Sequence, residues 1–98
     1  MPRKPYSMSD SLWVVYILQL SNGIYYTGIT NNLARRLKMH ASGHGSKLVR
    51  ALRPFILVYT ERAENRSSAS KREIEIKRLS RREKIKLVRN NNETIKYL

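Results

Sequence analysis

The segment VVYILQLSNGIYYTGITNNLARRLKMH, residues 14–40, decides the fold of this chain. Residues 12–20 are rich in β-branched and aromatic side chains and predict a strand, and residues 24–30 predict a second one. The Ser-Asn-Gly step at residues 21–23 has the composition of a turn, so the two strands are expected to form a hairpin. Residues 33–42 then predict a short helix.

The register of this hairpin depends on the length of its turn. If the turn had only two residues, Tyr16 and Tyr26 would lie on opposite faces of the sheet. A three-residue loop at 21–23 instead pairs Tyr16 with Gly28 and places both tyrosines on one face. Glycine in the left-handed conformation is common in three-residue loops, so a positive φ at Gly23 would support this register.

The helix after the hairpin carries two polar side chains on one face. Either Asn31 or Asn32 suits its N-cap, and Arg36 and His40 are four residues apart, so they can converge on one ligand. An arginine fork donates two hydrogen bonds at once to a phosphate, and histidine titrates near neutrality. The alternatives are a plain surface charge for Arg36 and a capping or surface position for His40.

Residues 43–47 form a break, and residues 48–53 are compatible with a short turn of helix before Pro54. The remaining chain predicts one more strand and two more helices. Residues 55–61 predict the third strand, residues 64–68 a loop, and residues 68–79 approximately a helix. A last helix follows from Ser80, where Ser-Arg-Arg-Glu matches a capping box.

Both faces of the hairpin are mostly apolar, so helices must cover both. We therefore predict an α+β fold with a small antiparallel three-stranded sheet flanked by helices. The expected organisation is a single domain at residues 11–90, between a flexible basic tail at residues 1–10 and a C-terminal tail at residues 91–98.

The charge of the chain predicts a polyanionic partner. Lys and Arg together number 20 against 7 Asp and Glu, which leaves a formal net charge of +13. Such a field attracts nucleic acid in a salt-dependent way, although a solvated basic surface or adhesion to anionic lipid would have the same composition. The absence of cysteine is compatible with a reducing compartment, and there is no apolar run of about 20 residues. A cytoplasmic protein without a membrane partner is expected.

Four segments deserve comparison with known motifs, and they follow in this order: Val14-Val15-Tyr16, Tyr26-Thr27-Gly28, Leu33-Ala34-Arg35-Arg36-Leu37 and Ala69-Ser70-Lys71-Arg72-Glu73. Together they resemble the GIY-YIG nuclease family, and in particular its short stand-alone bacterial members. Val14 and Thr27 are departures from the two signatures of that family, and both are modest strand substitutions. Ile29 stands where some larger relatives carry a polar residue next to the substrate.

The resemblance implies a metal-dependent endonuclease that hydrolyses DNA phosphodiester bonds. It implies that Glu73 holds one Mg²⁺ or Mn²⁺ and that Arg36 binds the scissile phosphate. Tyr16 or Tyr26 would orient or deprotonate water, and His40 could take or relay a proton. The alternatives are ordinary sheet packing for the tyrosines and an ion pair with Lys77, at i+4, for Glu73.

Other residues are expected to bind the nucleic-acid backbone or to shape the fold. Basic candidates for phosphate contact are Arg35, Lys47, Arg50, Arg53 and Arg72, and Gly23 and Gly28 are structural members of the motif. The partner is DNA, branched or damaged forms included, with RNA left open. Two other functions stay open: a nucleic-acid-binding module with weak or lost catalysis, and a nuclease subunit that needs a targeting partner.

Overall fold

A computed structural model describes residues 12–90 and has the predicted α+β architecture. Its three antiparallel strands lie in the order β2-β1-β3. The predicted tails at residues 1–10 and 91–98 lie outside the described residues. The elements are β1 (Trp13–Gln19), β2 (Tyr25–Thr30), α1 (Leu33–Ala41), α2 (Lys47–Ala51), β3 (Ile56–Ala63), α3 (Arg66–Arg78) and α4 (Arg81–Arg89).

The hairpin between β1 and β2 has the three-residue loop. Tyr16 lies opposite Gly28, and Leu18 lies opposite Tyr26, so Tyr16 and Tyr26 share a face of the sheet. Gly23 has a φ of 87°, which is the left-handed conformation that the loop requires. The predicted register is therefore confirmed.

The sheet is covered by helices on both faces. One buried cluster lies between the sheet and α1 and α2, and the other lies between the sheet and α3 and α4. Within residues 12–90, no helix is long and apolar enough to cross a membrane. The first cluster consists of Tyr16, Leu18, Leu20, Leu33, Val49 and Leu57, and the second of Val15, Ile17, Tyr59, Ala69 and Ile76.

The pairing of β3 with β1 contains a bulge, which changes the alternation of its side chains between the two faces. Ile17 pairs with Tyr59 and Leu18 pairs with Leu57, so Val58 is the extra residue. Leu57 and Tyr59 would share a face in a regular strand, yet they belong to opposite clusters. The third strand was predicted at 55–61 and spans Ile56–Ala63, because a period-two pattern does not reveal a bulge.

Side-chain caps set the helix boundaries. Asn32 is the N-cap of α1 and accepts a hydrogen bond from the Arg35 amide at 3.1 Å. The capping box predicted at Ser80 is present. A second box, between Asn65 and Ser68, starts α3 at Arg66, so part of the predicted 64–68 loop is helical.

Gly28 is needed because the Tyr16 ring crosses it. A Cβ atom at Gly28 would lie 2.5 Å from the Tyr16 hydroxyl oxygen and 2.6 Å from Cζ. No side chain other than hydrogen fits there without moving the tyrosine. The absence of a side chain at Gly28 therefore allows the Tyr16 ring to lie where it does.

We predict that Gly28→Ala lowers the free energy of unfolding by about 1–3 kcal/mol, because the added methyl group collides with a buried ring. Urea denaturation measures this loss. In a Tyr16→Leu background the same substitution should cost less, since the shorter side chain leaves room for the methyl group. An equal cost in both backgrounds would contradict the proposed collision.

Candidate active site

Tyr16 is the buried centre of the site. It is fully buried in the middle strand, and its hydroxyl oxygen lies 2.8 Å from Nε2 of His40 on α1. Burial raises the pKa of Tyr16, whereas hydrogen bonding to Arg36 acts in the opposite direction. The hydroxyl therefore joins the sheet to α1 through two side chains on one face of that helix.

The Arg36 guanidinium interacts electrostatically with both tyrosine hydroxyls. Its interactions with Tyr16 and, more weakly, Tyr26 raise the pKa of the guanidinium, so the group keeps its positive charge. The Nε atom of Arg36 is buried and has no hydrogen-bond partner in the structure. A buried N–H without an acceptor is costly, and an anion at this position would relieve that cost.

His40 is enclosed by aromatic rings. The rings of Tyr16, Tyr26 and Phe55 meet it edge-on, with centroid distances of 5.9, 5.6 and 6.1 Å. Burial and then the positive charge of Arg36 lower the pKa of His40, so the imidazole is neutral at pH 7. A buried neutral histidine can accept a proton only at a cost that the site must offset.

Gly45 closes the other side of the imidazole. A Cβ atom on Gly45 would collide with Nδ1 of His40, and this buried Nδ1 has no hydrogen-bond partner among residues 12–90. The Tyr16 hydroxyl and Nε2 of His40 share one hydrogen bond, whose direction depends on the tautomer of the imidazole. The positive charge of Arg36 favours the phenolate form of Tyr16. Sequence reasoning treated residues 43–47 only as a break and missed Gly45 and Phe55.

Glu73 lies on α3, which packs chiefly on β2. Its carboxylate contributes to the raised pKa of Tyr16, as the smallest of the causes, so it acts on the site at a distance. The carboxylate also pairs with Lys77, with Oε2 and Nζ 3.2 Å apart, and the Glu73 side chain is 21% exposed. The ion pair considered from the sequence is therefore present, on a glutamate that also acts electrostatically on Tyr16.

Two surface grooves meet at Arg36. Both are lined by Thr30, Asn31 and Arg36. One continues along α1, and the other continues to the start of β1 and of α3. The remaining lining residues are Asn32, Arg35 and Met39 in the first groove, and Trp13, Ile29 and Arg66 in the second.

Comparison with known proteins shows which family this chain belongs to. A family model described as GIY-YIG catalytic domain matches residues 12–86. The chain belongs to the GIY-YIG family. It is also 47% identical, over 83 residues, to a UPF0213 protein of Yersinia enterocolitica, a match that covers 85% of this chain and 86% of the relative.

Two solved structures resemble this GIY-YIG domain. The solution NMR structure of a UPF0213 protein from Bacillus halodurans has a TM-score of 0.55 at 41% identity, and the match covers 89% of this chain and 96% of that one. The NMR structure of a protein from E. faecalis has a TM-score of 0.54 at 36% identity, covering 86% and 83% of the two chains. Membership of a nuclease family implies a nucleic-acid substrate.

The basic residues expected to bind phosphate have different surroundings. Arg35 lines a groove beside Arg36, and Lys47 and Arg50 are exposed. Arg53 instead donates to the carbonyl oxygens of Ala41 and Arg50, at 2.8 and 3.1 Å, and so satisfies the end of α1.

Arg72 is also engaged within the protein. Its Nε donates to Glu61 at 2.7 and 3.1 Å, and its Nη1 donates to Glu75 at 3.0 Å. Hydrogen bonding to Glu61 raises the pKa of Arg72, and this interaction ties α3 to β3.

We predict that Arg72→Gln lowers the free energy of unfolding by about 1 kcal/mol and leaves DNA affinity within about twofold, because its guanidinium is already paired. Arg35→Gln should leave stability nearly unchanged and weaken DNA binding several-fold. Thermal unfolding and fluorescence anisotropy with labelled DNA measure the two effects. If Arg72→Gln weakens DNA binding as much as Arg35→Gln, the assignment of Arg72 to the fold is wrong.

His40 should make the fold sensitive to mild acid. Its pKa is lowered in the folded state, so below about pH 6.5 the unfolded chain binds a proton that the folded protein resists. The contribution of His40 to stability is complete above that pH and is lost as the pH decreases from about 6.5 to 5. Thermal unfolding of His40→Gln should show a smaller fall. The chain has two histidines, and exposed His44 provides the control: His44→Gln should keep the wild-type dependence.

Proposed function

We propose that this GIY-YIG protein hydrolyses phosphodiester bonds of DNA in the cleft that contains Tyr16, Arg36 and His40. The observation that supports it best is Arg36, which is charged, has a buried Nε atom without an acceptor, and lies where two grooves meet. A scissile phosphate bound there would satisfy that N–H and would have room for a strand on both sides. Arginine holds such a group through two parallel hydrogen bonds.

Tyr16 is the proposed base for the attacking water. A tyrosine with an ordinary pKa near 10 is a weak base at pH 7, and burial makes its ionisation harder still. His40, in contact with the hydroxyl, is the proposed acceptor of the Tyr16 proton, and the positive charge of Arg36 stabilises the phenolate that then takes a proton from water. A phosphate bound at Arg36 places the attacked atom beside that oxygen, so binding and activation use the same groups.

Tyr26 has a supporting role in this proposal. It shares the face of Tyr16, lies within reach of Arg36 and packs edge-on against His40. These contacts restrict both side chains that act on Tyr16. The sequence left open which tyrosine activates the water. We assign the role of base to Tyr16 and a role in orientation to Tyr26.

Glu73 is the proposed ligand of a divalent cation. Mg²⁺ and Mn²⁺ accept one carboxylate, several waters and substrate phosphate oxygens, and so need no dedicated cage. No cluster of three His, Asp or Glu occurs among residues 12–90, and a half-buried carboxylate near Tyr16 fits such a cation. Such a cation would supply Lewis-acid stabilisation of the phosphate and the leaving oxygen. The Lys77 ammonium pairs with this carboxylate and would have to release it for a cation to bind.

A second function is supported by the same ion pair. A protein that binds DNA without cutting it could keep Glu73 paired with Lys77 and Tyr16 protonated. The net charge of +13 would provide affinity in that case. A nuclease subunit that needs a partner for targeting is the third possibility, and pull-down from the host cell would test it.

We predict that the protein cleaves plasmid, flapped, branched or single-stranded DNA with Mg²⁺ or Mn²⁺ and loses this activity with a chelator. Arg36→Ala and Tyr16→Phe should lower the cleavage rate about 100- to 1,000-fold, and Glu73→Gln should abolish the response to metal.

Arg82→Gln is the matched control, because Arg82 is an exposed arginine of α4 outside the cleft. It should retain the wild-type rate. Lack of cleavage of every substrate, together with DNA binding that survives Arg36→Ala and Glu73→Gln, would favour the binding module and contradict the nuclease.

A further inference from the structure

The two grooves beside Arg36 differ in chemical character. The groove along α1 is lined by Asn32, Arg35 and Met39, in addition to the shared residues. The groove at the start of β1 contains Trp13, which is the single tryptophan of the chain. Only the second groove therefore contains an aromatic ring. This ring lies in the same groove as Arg36, which is the proposed phosphate-binding residue.

Trp13 is held in place by the fold. It is the first residue of β1, is half-buried, and packs against the cluster formed by Val15, Ile17 and their neighbours. Strand pairing with Ala63 of β3 fixes its backbone. A ring fixed in this way can present a stacking surface without a large loss of side-chain freedom on binding.

Arg66 covers the Trp13 ring. Its guanidinium carbon lies 5.7 Å from the ring centroid, which is a cation–π distance, and Arg66 is exposed. The capping box at Asn65 sets where Arg66 begins α3. A guanidinium that is exposed and positioned over an aromatic ring can stack on a nucleobase and can also pair with a phosphate.

A second arginine pair shows that this geometry is not sufficient by itself. Arg81 lies 5.6 Å from the Tyr25 ring centroid, and that pair connects α4 to the start of β2. Neither residue lines the grooves that meet at Arg36. The position of the Trp13–Arg66 pair, in a groove that also contains Arg36 and Asn31, is what points to a ligand.

We propose that Trp13 and Arg66 form a nucleobase-binding subsite, which stacks one unpaired base next to the phosphate held by Arg36. The subsite rests on the proposed function, since it takes its ligand from the same nucleic-acid strand. The strand runs from this aromatic subsite, past Arg36, to the groove with Arg35, which contacts the backbone. A base must leave a duplex to reach the subsite, so unpaired nucleotides bind better than paired ones.

The single tryptophan allows a direct test with the intact protein. Trp13 fluorescence is measured in chelator, which prevents metal-dependent cleavage, during titration with oligothymidylate or with a deoxyribose-phosphate oligomer of equal length and charge that lacks bases. Oligothymidylate should bind about five- to 150-fold more tightly than the abasic oligomer, as expected for one stacked base, and should change the Trp13 emission. Oligouridylate tells whether the sugar matters at this subsite.

Arg66→Lys separates stacking from charge. The substitution keeps the positive charge and removes the planar guanidinium, so the affinity for the abasic oligomer should stay the same and the preference for bases should fall several-fold. Arg81→Lys, which changes the matched pair outside the grooves, should keep the full preference. Trp13→Phe keeps an aromatic ring and should reduce the preference, as measured by anisotropy with a labelled oligomer, while circular dichroism checks that the variant is folded.

Equal affinity for both oligomers, with unchanged Trp13 emission, would overturn the subsite. A loss of affinity in Arg66→Lys that is the same for both oligomers would also overturn it. These outcomes are independent of catalysis, because cleavage is measured separately with metal. Cleavage without a base preference contradicts the subsite alone, and a base preference without cleavage contradicts the proposed nuclease alone.

Discussion

The contact between the Tyr16 hydroxyl and the His40 imidazole is the interaction on which the site depends. It joins the central strand to α1 inside the first apolar cluster, where each polar group would be costly without the other. Two glycines make it possible, because Gly28 gives room to the tyrosine ring and Gly45 gives room to the imidazole. Arg36, one helical turn before His40, is thereby brought to the same hydroxyl.

Most of the local structure on the hairpin side of the molecule could be predicted from the sequence. The loop residues and the demand that two tyrosines share a face are sufficient to set the register, because the period of a strand leaves only two choices. The start of the helix that carries Arg36 and His40 follows from its asparagine cap. The GIY-YIG resemblance then connected this half of the site to Glu73.

The surroundings of the other site residues could not be predicted, because they depend on contacts between residues that are distant in the sequence. The guanidiniums of Arg53 and Arg72 satisfy groups 12 and 11 residues away, so a count of basic residues makes them look available for phosphate. The sequence predicts only that Gly45 lies in a loop, and the fold shows that it lies against His40. Burial of His40 lowers its pKa, whereas the sequence shows only its spacing from Arg36.

The bulge at Val58 has a consequence for how this domain can change in length. The extra residue lets β3 contribute Leu57 to one apolar cluster and Tyr59 to the other. Deleting Val58 would restore a regular ladder in which Leu57 and Tyr59 become neighbours and stay on opposite faces of the sheet. The bulge is therefore the place where β3 can lose one residue without reversing its side chains. A one-residue deletion between Tyr59 and Ala63 would be far more harmful, because it would turn the residues on one side of the gap to the wrong face.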